Sequence, residues 1–213
     1  KKLSEEENSK RAAEKFKAFM EGPSLQDLID DCENAIRHIR QNAAKFGIDP
    51  EKITVVGDSA GAYLANAMGT LVPEDPRANA VIACSSISDL TIGFGGKYVK
   101  PRGGATATFE DDPKFLARAK KLSPVFNIAK GDTVFLVLHG ERDWLKDEPR
   151  NFHEALKKKG VDCEYRSYPE ARHAFIVVGY SATDAQITQA ILELDAFLLK
   201  RGLLEGPTSI RMP

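Results

Sequence analysis

Apolar positions along the chain fall into two kinds of run. The first kind repeats at helical spacing. From Ser4 to Met20, Ala12, Phe16, Phe19 and Met20 mark one face, and Ser4 with Glu7 forms a capping-box pattern. A second periodic segment starts at Ser24 and carries Leu25, Leu28, Ile29, Cys32, Ile36, Ile39, Ala43 and Phe46, with Gly47 placed to cap its end and Asp49-Pro50 to turn the chain. The second kind is short and continuous, at Ile53–Val56, Ala80–Cys84 and Val134–Leu138, and a strand-like run mixing apolar and polar residues lies at Cys163–Tyr168. Each predicts a strand, and helical patterns follow: a small-residue helix through Tyr63, Leu64, Ala67 and Leu71, then Phe152–Lys159, then Asp184–Lys200. Residues from Leu203 to Pro213 read as a tail. Continuous rather than alternating apolar strands, separated by helices, predict an α/β fold with a mostly parallel sheet covered on both faces. The stretch from Gly93 to Pro113 holds five glycines and little periodicity. It reads either as a cap or substrate loop or as a plain surface excursion.

Composition narrows the function classes. Hydrophobic residues make up 42% and charged residues 29% of 213, within the range of a single globular domain with a sizeable core. Thirty basic against 31 acidic residues give a formal charge of −1, which offers no footprint for nucleic acid or an acidic surface. No apolar run approaches the roughly 18–20 residues that span a bilayer. Cys32, Cys84 and Cys163 lack metal-type spacing and read as small core residues. Their odd number favours a reducing, cytoplasmic setting, whereas a leader removed before Lys1 would make the protein secreted.

The chemistry concentrates at Gly57-Asp58-Ser59-Ala60-Gly61, a G-x-S-x-G match lying between a strand and a helix. A serine on so tight a turn projects its hydroxyl above the sheet, and the N–H of the next residue, Ala60, points from the helix start at a developing oxyanion. Glycines two positions either side let neighbouring backbone pass. A serine hydroxyl needs a base, and the base needs an orienting carboxylate. Of four histidines, His38 lies within a helix, His139 ends a strand and His153 sits on a lysine-rich helix, where it should face solvent. His173, in the loop after the last strand, remains as the base. The acid should follow an intervening strand. Asp143 fits best, with Glu141, Asp147 and Asp89 as alternatives, and the order Ser59, Asp143, His173 matches that of α/β-hydrolases.

With these motifs in place, the sequence resembles the esterase/lipase group of the α/β-hydrolases, including hormone-sensitive-lipase-like esterases and feruloyl or acetyl-xylan esterases. The resemblance rests on Asp49–Ile53 leading into Gly57–Ala65, on Leu138-His139-Gly140-Glu141-Arg142-Asp143 and on Arg172-His173-Ala174-Phe175, and spans about Leu25 to Arg201. It implies hydrolysis of short-chain or carbohydrate-linked esters, small molecules, through an acyl-enzyme with no metal or organic cofactor. Tyr63, Trp144 and Leu145, with Phe94 and Tyr98, would line the substrate pocket or else pack the interior. Two features depart from the group. There is no His-Gly-Gly-Gly-type loop to complete the oxyanion hole, and no strand separates the first two helices. The sequence is therefore expected to be part of a longer enzyme. A prolyl-oligopeptidase-type serine peptidase and a non-catalytic relative that binds a ligand share the same fold and remain alternative readings.

Overall fold

The computed structural model describes residues 24–92, 113–131 and 133–207. The helix expected over Ser4–Met20, and residues 93–112 of the glycine-rich stretch with Phe94 and Tyr98, lie outside them.

Four strands form one all-parallel sheet in the order β1 (Thr54–Asp58), β2 (Ala80–Cys84), β3 (Val134–Gly140) and β4 (Cys163–Tyr168). Side chains alternate faces along a strand, and both faces are covered. Val81, Ala83, Phe135 and Val137 join one buried cluster with α1 (Leu25–Gln41), α3 (Ala60–Thr70) and α5 (Asp147–Lys158). Ala80, Ile82, Cys84, Leu136 and Leu138 join a second cluster under α6 (Asp184–Lys200), with Phe175, Ala190 and Phe197. Double-sided burial is why β2 and β3 read as unbroken apolar runs.

The element limits differ from the sequence reading in informative ways. α1 opens on a full capping box: Ser24 Oγ accepts from the Asp27 N–H, and Asp27 returns a carboxylate oxygen to the Ser24 N–H at 2.6 Å. The helix then breaks at Asn42, and a separate turn, α2 (Ala43–Phe46), precedes Gly47. The buried positions are Ile29, Ile36 and Ala43, seven residues apart. Leu28, Ile39 and Phe46, expected on the apolar stripe, are exposed along its flanks. Cys84 is buried, but Cys32 and Cys163 are only partly so, against the edge of the first cluster. α4 (Pro113–Leu122) and a 3₁₀ turn (Pro124–Phe126), which the sequence reading passed over, close the space beyond α3. Residues 203–207, read as tail, begin docked rather than free: Leu203 packs on the second cluster and Glu205 pairs with Lys52 Nζ at 2.6 Å.

Among the described residues no strand pairs with the outer edge of β1. Val56, on the α6 face beside Ile82, is exposed.

Candidate active site

The carboxyl ends of β1, β3 and β4 each deliver one side chain to the same point. β1 runs without a break into Ser59, whose backbone sits at φ 55°, ψ −117°, and α3 begins at the next residue. The sheet ladder holds this turn, since the Ser59 N–H donates to the carbonyl of Cys84 at 2.9 Å. Gly57 is obligatory here: a Cβ would overlap the backbone of Gly61 and Ala62. Gly61 is different from the sequence expectation, for a Cβ there would meet nothing within 4 Å. Only one of the two motif glycines is demanded by close packing. Ala60 is the first residue of α3, so its N–H belongs to the group of helix-initial donors without an intrahelical partner.

Ser59 Oγ lies 2.8 Å from His173 Nε2. On the other side of the ring, Nδ1 lies 3.0 and 3.1 Å from the two carboxylate oxygens of Asp143. The Asp143 side chain is fully buried and also accepts from the Leu145 N–H at 2.9 Å. The loops carrying acid and base are stitched together by backbone bonds from Glu141 N–H to Tyr168 and from Arg142 N–H to Ala171, both 3.0 Å. That approach leaves no room for a side chain at Gly140, where a Cβ would overlap the Ala171 carbonyl. Ser181 Oγ donates to the His173 carbonyl at 2.6 Å, fixing the base loop from its far side.

Electrostatics follow from this geometry. The hydrogen bond that His173 donates to Asp143 raises the pKa of His173 above the ordinary imidazole value, against burial, which lowers it. Burial pushes Asp143 up, but hydrogen bonds from His173 and Leu145 outweigh it and hold the carboxyl below its ordinary value. Asp58, beside the serine, is raised by burial, and its Oδ1 is buried without a hydrogen-bond partner.

The alternative acids are engaged elsewhere. Asp89 holds the Thr91 N–H and hydroxyl, Asp147 faces Arg150, and Glu141 lies between His139 and Arg150. Among the histidines, His38 is exposed, while His139 is fully buried against the Tyr165 ring. His153 does not face solvent as expected; it too stacks on the Tyr165 ring, centroids 5.1 Å apart.

Two of the three expected pocket residues belong to the interior. Tyr63 is buried in the first cluster, its hydroxyl donating to the Leu122 carbonyl at 2.8 Å. Leu145 is buried there too, and serves the site through its backbone N–H. Trp144 alone stands at the site, 59% exposed, its ring centroid 5.2 Å from that of His173. Sequence reasoning passed over Ser85 and Ala174, both at positive φ beside the triad. The position of Ser85 just past the end of β2 was the one available signal.

A parallel sheet whose strand-to-helix turn raises a serine toward a histidine and an aspartate from later strands defines the α/β-hydrolase class. The chain belongs to the α/β-hydrolase fold family, whose sequence pattern matches residues 24–177. It is 31% identical over 170 residues to the esterase LipQ of Mycobacterium tuberculosis, covering 69% of this chain and 38% of LipQ. It is 30% identical over 165 residues to an uncharacterized peptidase, YuxL, of Bacillus subtilis, covering 75% of this chain and 23% of YuxL. The butyrate-bound structure of a thermophilic esterase, Est2 of Thermogutta terrifontis, superposes with a TM-score of 0.69 at 29% identity, over 87% of this chain and 69% of that one. The chain thus spans well under half the length of the curated relatives it matches. No helix among the described residues is long and apolar enough to cross a membrane.

Proposed function

We propose that this chain carries the catalytic centre of a serine carboxylic-ester hydrolase acting on short-chain acyl esters. The observation that supports it most is the unbroken relay from Ser59 Oγ through His173 to the buried carboxylate of Asp143, with steps of 2.8 and 3.0 Å. In this reading His173 Nε2 takes the Ser59 proton as the hydroxyl attacks the ester carbonyl. Asp143 keeps the other ring proton on Nδ1, the tautomer that leaves Nε2 able to accept, and stabilises the imidazolium that forms. The Ala60 N–H, at the positive end of α3, receives the oxyanion. His173 then returns its proton to the leaving alcohol, and a water activated by the same nitrogen releases the acid. One oxyanion donor in place of two would forgo about 3–4 kcal/mol of transition-state stabilisation. The chemistry calls for no metal or organic cofactor.

Substrate class rests on two supports. The Thermogutta esterase holds butyrate in one structure. Beside the base, Trp144 is exposed apolar surface suited to a short acyl or alcohol group. The likeness to the Bacillus peptidase favours a second reading, a peptidase with the same triad. Initial rates on p-nitrophenyl acetate, butyrate and octanoate, measured beside peptide p-nitroanilides, separate the two. The ester reading predicts the highest kcat/KM on the shorter acyl chains and background rates on peptides. Faster peptide cleavage would overturn it.

The stitching of the two loops gives a further expected result. Gly140→Ala forces the acid loop away from the Ala171 carbonyl, two residues before the base. A displacement of about 1 Å at a catalytic pair costs roughly 100-fold in turnover, so kcat on p-nitrophenyl butyrate should fall by that order while the far-ultraviolet circular dichroism stays close to that of the parent. A variant within about threefold of the parent would show that the loops tolerate the shift.

A further inference from the structure

Three non-glycine residues of the described chain hold a positive φ: Ser59 at 55°, Ser85 at 51° and Ala174 at 56°. Such backbone is disfavoured for any residue with a Cβ and persists only where its surroundings enforce it. The elbow explains the first. The other two meet: the N–H of Ala174, immediately after His173, donates to Ser85 Oγ at 3.3 Å. Ser85 is fully buried, and its own N–H continues the β2–β3 ladder by donating to Leu138 at 2.9 Å. Its hydroxyl is therefore presented from a rigid part of the sheet. Having accepted from Ala174, it still has one proton to give, and the hydroxyl is the smallest of the influences that favour the charged form of Asp143. The adjacent Ser86 is buried just as deeply, yet its hydroxyl has no partner. Burial alone does not account for what Ser85 does.

We propose that Ser85 is a positioning residue of this site, its hydroxyl accepting from the backbone beside the base and donating to the acid, so that one side chain from β2 sets the distance between Asp143 and His173. The assignment rests on the reading of Ser59, His173 and Asp143 as a catalytic triad. Without the hydroxyl, the Asp143 carboxylate loses a donor, becomes more basic and pulls harder on the imidazolium, which raises the pH at which His173 loses its proton.

Ser85→Gly and Ser85→Ala test this, with Ser86→Ala as the control. Glycine adopts a φ of 51° without strain, so a loss in Ser85→Gly belongs to the hydroxyl and not to the backbone. Both Ser85 variants should lower kcat on p-nitrophenyl butyrate about tenfold, as the loss of one hydrogen bond to a charged group implies. KM should stay within about twofold, and the acid limb of the kcat/KM profile should move to higher pH. Ser86→Ala should match the parent in all three. The His173 ring titration, followed by proton NMR in parent and variants, should show the same upward movement and requires no turnover. A parent that neither hydrolyses esters nor reacts with paraoxon defeats the functional reading, and the ring titration still decides the role of Ser85. Parent-like kcat and an unmoved His173 titration in Ser85→Gly would overturn the proposal.

Discussion

Ser59→Ala should reduce ester turnover by roughly 10⁶-fold, to the residual rate that binding and the oxyanion donor alone sustain. The size of the effect follows from there being no accessible substitute nucleophile next to Ser59 among the described residues. Ser85 and Cys84 are nearby in the ladder, but both are fully buried, and burial raises the Cys84 thiol well above its ordinary pKa, so no thiolate is at hand. The fold should not respond. Alanine at φ 55° carries the same backbone strain as serine, and the hydroxyl contributes one half-exposed hydrogen bond. Thermal midpoints of parent and variant should therefore agree closely, which separates lost chemistry from lost structure. A Thermogutta esterase similar to this chain is phosphorylated by paraoxon. Paraoxon should likewise modify the parent chain on the peptide that contains Ser59, and should leave the variant unmodified. Modification at another residue, or rapid ester turnover by the variant, would remove the serine from its proposed role.

Much of this site was legible in the sequence because the elbow is contiguous. A strand, five small or acidic residues and a helix follow one another, and the spacing of Gly57 to Ser59 reflects a backbone crossing that is local in the chain. The two central strands were legible for a related reason: burial on both faces of β2 and β3 leaves unbroken apolar runs that stand out against amphipathic helices. His173 could be proposed by elimination among four histidines and Asp143 by its place after a strand, with Glu141, Asp147 and Asp89 left open, and neither reading carried geometry. Relations between distant segments were not legible. The contact of the Gly140 turn with Ala171, the bond from Ala174 to Ser85 and the burial of Tyr63 beneath α4 each join stretches more than 30 residues apart or turn on which way a helix faces. Tyr63 illustrates the difficulty. An aromatic ring four residues past the nucleophile suits a pocket, but one turn into α3 its side chain points into the first core cluster, and its hydroxyl finds a carbonyl there. The stripe on α1 misled in a simpler way. Seven apolar positions before Phe46 suggested one broad face, whereas Ile29 and Ile36 alone are fully buried on that helix.

Asp143→Asn tests the second half of the relay, and its effect should be about 10⁴-fold on kcat. The amide is nearly the same size as the carboxylate and can still accept from the Leu145 N–H, so the buried site keeps its shape. What changes is the proton on the ring. An asparagine amide that donates to Nδ1 selects the tautomer with its proton on Nε2, and that nitrogen can then no longer take a proton from Ser59. The pH dependence gives an independent check. Asp143 is the main cause of the raised His173 pKa, and burial acts against it, so removing the charge should move the acid limb of kcat/KM to lower pH while the amplitude collapses. Stability should run the other way from activity. A raised histidine pKa stabilises the fold fully below the unfolded value near 6.5, and that contribution disappears as pH rises through the folded value. The lowered Asp143 contributes above the unfolded carboxyl value near 3.9 and loses its contribution as pH falls through its folded value. The charged pair is therefore most stabilising between about pH 4 and 6.5, whereas catalysis needs His173 neutral. The gap in thermal midpoint between parent and Asp143→Asn should be widest in that interval and narrow as the parent becomes active. A gap that is flat across pH, together with a variant holding more than a tenth of parental kcat (~10%), would mean that Asp143 neither orients nor charges the imidazole.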